Sequence, residues 1–232
     1  EVLKARGRLP GIHGAVVELI HVPDRYETAI ETALGGAMQH IVVDSESAAR
    51  QAIHYLKANG YGRATFLPLD VIQARSLSER ERAAISGHPA FVGIAGELVE
   101  CERAYAAAVA HLLGHVIVTA DLKGANELAK LLHYRYRLVT LDGDVVSPGG
   151  AMTGGGAAKK TTSLLSRSRE LETIAVKIQE MDGKIAQLER DIAAKQRERA
   201  EREAEAAALE QELSGLQQAL QAQKEAQREL EW

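Results

Sequence analysis

A single cysteine, Cys101, leaves no disulfide possible within these 232 residues and points to a reducing compartment. No apolar run approaches the roughly 18 residues of a membrane-spanning helix. The opening EVLKARGRLP has no apolar stretch of the secretory kind, so a cytoplasmic protein without a membrane partner is expected. Positive charge is also short: 28 Lys and Arg stand against 32 Asp and Glu, a net −4. That excludes a broadly basic nucleic-acid binder, and any such role must be local. Proline and aromatics are missing from the far end. All five prolines, and every aromatic except Trp232, lie at or before Pro148, and only Gly183 and Gly215 follow Gly156. The composition divides the chain into a globular part ending near 163 and a helical arm from about 165 to 232.

Enzyme signatures are absent too. The run SPGGAMTGGGAAKKTT (147–162) combines glycines with lysine and hydroxyl residues. A phosphate loop, however, needs its last glycine to touch the lysine, and here Ala157 and Ala158 separate Gly156 from Lys159. His111 and His115 have the spacing of a zinc helix, but Leu112 stands where the metalloprotease motif wants Glu. Asp142-Gly143-Asp144 spells a hairpin turn rather than an acid/base pair. Cys101 reads as a small buried hydrophobe. No catalytic residue, metal or cofactor is expected.

What is present is written twice. GAVVELI (14–20) reads as a strand, Pro23-Asp24 opens a helix through Tyr26, Ile30 and Leu34, and QHIVV (39–43) is a β-branched run. SESAARQAIHYLKANG (45–60) is a helix with a serine cap and Gly60 beyond its end, followed by a strand at RATFL (63–67). Tyr105, Val109 and Leu113 repeat the first helix, HVIVTAD (115–121) the second strand, and LKGANELAKLL (122–132) the capped helix. RLVTLDGD (137–144) then echoes RATFLPLD, and His40 and His115 fall in equivalent places. The predicted fold is α/β (α+β): two duplicated lobes, about 10–75 and 98–163, followed by a long coiled-coil helix.

The arm carries an apolar seam in sevens: Leu171, Ile174, Ile178, Met181, Ile185, Leu188, Ile192, Leu209, Leu213, Leu216 and Leu220. Lys195, Arg199 and Arg202 interrupt it, with Glu198, Glu203 and Glu205 at hand to neutralise them.

A two-lobed domain running into a coiled coil through PGGxxTGG resembles the hinge domain of bacterial SMC (structural maintenance of chromosomes) proteins. The likeness rests on GIHGAVVELI, AIETALGG, QHIVV, NGYGRATFLPL, TLDGDVVSPGGAMTGGG and SLLSRSRELE. It implies a homodimerising hinge at residues 10–163, with 1–9 as the remnant of an incoming arm. That incoming arm would pair with the outgoing one in a longer, nucleoid-associated protein whose ATPase heads lie elsewhere. It places the dimer glycines at Gly149, Gly150, Gly154 and Gly155, with Met152 among them. The acid-free stretch around Lys159, Lys160, Arg167 and Arg169 becomes a weak, sequence-independent DNA contact. Three readings remain open: a flexible glycine linker with a solvated basic junction, a small-ligand or nucleotide-binding α/β domain with a helical appendage, and a purely structural coiled-coil tether.

Overall fold

The computed structural model describes residues 1–155 and 164–230. Lys159 and Lys160 lie outside the described residues. The chain divides into a compact unit, Glu1–Glu172, and a second unit from Thr173 onward.

The first lobe contains β1 (Ile12–Ala15), α1 (Val16–Leu19), β2 (Ile20–His21), α2 (Glu27–Leu34), β3 (Ile41–Val43), α3 (Glu46–Ala58) and β4 (Phe66–Pro68). Its sheet runs β1-β3-β4, with β1 antiparallel and β4 parallel to the buried β3. Ser45 caps α3 as its sequence predicts, its hydroxyl accepting the Ala48 N–H at 3.2 Å. GAVVELI departs from the single strand expected of it: β1 ends at Ala15, and α1 intervenes before β2. The Glu18 carboxylate folds back to accept the Ala15 N–H at 3.0 Å, starting a helical turn that the β-branched Val16-Val17 disguises.

A connector with α4 (Glu79–Ser86) leads to the second lobe: β5 (Phe91–Ile94), β6 (Glu100–Cys101), α5 (Ala106–Leu113), β7 (Val116–Thr119), α6 (Leu122–Leu131), β8 (Arg137–Thr140), β9 (Val145–Val146) and β10 (Met152–Thr153). Its sheet runs β10-β9-β8-β7-β5. β5, β7 and β8 repeat the pairing of β1, β3 and β4, including a register shift before a glycine in the first strand, Gly14 or Gly93. The repeat therefore begins at β5, ahead of the boundary near 98. Gly14, Glu18, Leu19 and Tyr26 recur at one constant offset as Gly93, Glu97, Leu98 and Tyr105.

The lobes join through a local two-fold axis. β2 pairs antiparallel with β6, and His21 faces its own equivalent, Glu100. One apolar core then runs through both lobes, with Ala29, Ile30 and Ala33 of α2 clustered with Ala108 and Val109 of α5. Alanine at these positions allows close helix approach, and a fully buried Ile30 contributes about 1.5–3 kcal/mol. A polar tie adds to the junction: the Tyr105 hydroxyl lies 3.3 Å from His13 Nδ1, and His13 Nε2 lies 2.5 Å from Asp44. Residues 1–9 seat on the first lobe, where Val2 and Ala5 are buried, Val2 with Ile12, Val43, Ala52 and Leu56.

Candidate self-association edge and arm root

The glycine run begins as a hairpin. Gly143 (φ 93°) turns β8 into β9, with the Thr140 N–H donating to the Asp144 carbonyl at 2.8 Å and the Asp144 N–H to the Thr140 hydroxyl at 2.9 Å. A second turn carries β9 into β10: the Ser147 N–H donates to the Ala151 carbonyl at 2.8 Å, across Gly149 (φ 84°) and Gly150 (φ 91°). Two consecutive left-handed residues are what glycine supplies at no steric cost. Residues 145–155 therefore hold paired strands and turns where a linker would be unstructured, and residue 156 onward to 163 lies outside the described residues.

β10 is the outermost strand of its sheet. Ser147 and Ala151 are a hydrogen-bonded pair, so the next pair, Val146–Met152, is a non-hydrogen-bonded one. Met152 accordingly turns its N–H and C=O toward the open edge, and its side chain is 56% exposed, with Sδ 3.5 Å from the Asn126 amide. Gly154 lies under Asp144, whose carboxylate an added Cβ would strike. The run is thus required first by its own chain, to make a short edge strand.

Among the described residues the first lobe has an open edge in the matching place: β4 corresponds to β8, but no strand of its own sheet follows where β9 and β10 follow β8. Residues 61–65 lead into β4 exposed, and Tyr61 stands 5.8 Å from Tyr55, centroid to centroid.

The arm root lies on the other lobe from the strand it follows. α7 (Leu164–Leu230) starts with Leu165 buried in the shared core, and one turn later Arg169 ion-pairs with both Asp24 and Glu27 of the first lobe. Its charge is engaged by carboxylates, whereas Arg167, the other described cation of this stretch, is exposed.

In the second unit the helix bears every expected seam residue on its surface, with Leu171 just before the boundary. Exposure runs from 44% at Ile174 to 67% at Leu171 through Ile178, Met181, Ile185, Leu188, Ile192, Leu209, Leu213, Leu216 and Leu220. The seam's three cations find carboxylates on their own helix: Lys195 and Arg202 on Glu198 at 2.7 and 2.6 Å, and Arg199 on Glu203 at 2.6 Å.

His111 is hydrogen-bonded to the Gln73 carbonyl at 2.9 Å rather than shared with His115. Among the described residues no group of His, Cys, Asp or Glu could hold a metal ion, and no helix is long and apolar enough to cross a membrane. Burial pushes the Cys101 thiol pKa up, away from a reactive thiolate. Sequence reasoning passed over Tyr134, which supports the second turn from another element; His133 and Tyr134 both stand at positive φ just past Leu132, the C-cap of α6.

Duplicated α/β lobes around a local dyad, an unpaired edge hairpin and a helical arm define a hinge-type module. The family model for the SMC proteins Flexible Hinge Domain matches residues 9–129, and this chain belongs to that family. It is 58% identical over 182 residues to the Chromosome partition protein Smc of Bacillus subtilis, covering 78% of this chain and 15% of that protein's length. The crystal structure of an asymmetric dimer of the Geobacillus stearothermophilus SMC hinge domain matches at TM-score 0.72 and 83% identity, covering 86% of this chain and 80% of that one. The Pyrococcus furiosus SMC hinge domain matches at TM-score 0.54 and 34% identity, over 68% and 83% of the two chains.

Proposed function

We propose that this chain is the self-association hinge of a chromosome-partitioning SMC protein, joining two helical arms. The observation that carries this reading is the pair of complementary edges. β10 of one protomer fits beside β4 of its partner, where the first lobe lacks the hairpin that the second lobe carries. Two-fold symmetry repeats the contact and closes a ring. A hinge dimer described for the Geobacillus relative supports the reading. ATP hydrolysis belongs to parts of the longer protein outside these residues.

The test is sedimentation of residues 1–172, which hold their own core, beside the whole chain. A dimer of the short form is expected. Met152→Pro removes the outward N–H and leaves the β9–β10 bonds in place. One backbone hydrogen bond is worth about 1 kcal/mol net. Symmetry removes it from both edges of the dimer, so Kd should rise about thirtyfold. A short form that stays monomeric while the whole chain dimerises would establish the arm as the tether and defeat the edge assignment.

Weak DNA contact at Lys159, Lys160 and Arg167 is part of the same proposal, supported by the absence of acidic residues from Val145 to Arg169. Lys159→Glu with Lys160→Glu should abolish DNA binding and spare the dimer. Wild-type affinity should fall steeply with salt as counterion release requires; binding indifferent to ionic strength would reject the patch.

A further inference from the structure

We propose that Tyr134 and Asp144 are positioning residues that hold β10 ready for a partner strand before any partner arrives, an inference that rests on the self-association reading. β10 pairs with β9 through only two residues, Met152 with Val146 and Thr153 with Val145. A two-residue strand at a sheet margin cannot fix its own place, because isolated short pairings are marginal in water. Two groups outside the ladder fix it, one at each end.

At the turn, the Tyr134 carbonyl accepts the Gly149 N–H at 2.9 Å, and the Tyr134 ring lies 3.4 Å from the position of a Gly150 Cβ. At the far end, Asp144 Oδ1 accepts the Gly155 N–H at 3.3 Å and covers the Cα of Gly154. The backbone that aims Tyr134 is itself unusual. His133 and Tyr134 are consecutive non-glycine residues at φ 53° and 52°, the only ones with positive φ among the described residues. Strain of this kind persists where the surroundings over-determine it, and it gathers at functional positions. Here it is held by the Tyr134 N–H bonded to the Ala129 carbonyl at 2.8 Å and the His133 N–H to the Lys130 carbonyl at 3.0 Å. The first lobe reaches the equivalent point after α3 with Gly60 (φ 65°) and has no hairpin to hold. The costly conformation occurs only in the lobe whose edge strand needs support. Fixing that strand beforehand lowers the ordering cost of association.

The experiment uses the whole chain, with Kd read by subunit-exchange fluorescence and amide exchange read at Thr153 and across β7 and β8. Tyr134→Gly keeps the backbone conformation and removes the ring; Asp144→Ala removes the acceptor; Asp144→Asn keeps it. The double variant Tyr134→Gly/Asp144→Ala should raise Kd at least tenfold and speed Thr153 exchange, with β7 and β8 protected as in wild type. Asp144→Asn should behave as wild type because its amide oxygen still accepts the Gly155 N–H, whereas Asp144→Leu, which fills the space without an acceptor, should behave as Asp144→Ala. Unchanged Kd and exchange in the double variant overturn the proposal, as does loss of β7 and β8 protection, which would show a general role in the lobe. If the wild-type chain is monomeric, the self-association reading fails, whereas slow Thr153 exchange lost in the double variant would still identify the two pins.

Discussion

A methyl group at Gly154 would press on the Asp144 carboxylate, whereas one at Gly149 would meet open space but a φ of 84°. The four glycines therefore respond differently to alanine. Gly154→Ala displaces Asp144 and should cost about 1–3 kcal/mol through crowding. Gly149→Ala should cost about 1–2 kcal/mol through left-handed backbone alone; urea titration of each variant separates the two. Both losses fall on the chain's own hairpin, so alanine at these sites weakens the monomer as well as any dimer. Two histidines act at the same scale. Burial lowers the pKa of His40, and burial followed by Arg75 and His111 lowers that of His115. Among the described residues neither Nδ1 has a hydrogen-bond partner. Groups with depressed histidine pKa values bind protons more readily when unfolded, so their contribution is complete above the ordinary value of about 6.5 and declines as pH falls toward the folded values. The urea midpoint should therefore drop between pH 7.5 and 5.5, and less so in His40→Phe/His115→Phe. An equal drop in both proteins would refute that assignment.

Elements whose signals are local were legible in advance: the cap at Ser45, the Asp142–Asp144 turn and the long helix α7. α1 was not, because its single turn depends on where the Glu18 carboxylate folds. The Ser78–Glu81 capping box of α4 was written plainly in the connector, but a short helix without a strong apolar stripe attracts no periodicity argument. Of the candidate site, the glycine run was visible, but its turn at Gly149-Gly150 was not, nor was the turn support at Tyr134, which comes from another element. The same holds for Arg169. As sequence it is one cation in an acid-free stretch; in the fold it binds Asp24 and Glu27, far back along the chain. Arg169→Glu should loosen the start of α7, seen as faster amide exchange at 165–172. Adding Glu27→Arg should restore it by reversing the pair. If the swap fails to restore protection, Leu165 alone seats the helix.

At the scale of the whole chain, α7 exposes a long row of apolar seam residues, and such stripes recruit a second surface. A neighbouring copy of this chain should cover it. Exchange along the arm should slow as protein concentration rises, least at Lys195–Arg202, where ion pairs on one exposed helix contribute only about 0.3–0.5 kcal/mol each. Concentration-independent protection would show that the seam is covered within one chain.

The seat of the arm root also sets where mechanical load enters. α7 follows β10 in sequence, yet Leu165 lies in the shared core and Arg169 grips the first lobe. Tension along the arm is therefore delivered to α2 and the two-lobed core before it reaches the chain leading back to the hairpin. The two-residue strand β10 is shielded from the pull, so under force the grip at Arg169 should yield before the β10 edge is peeled.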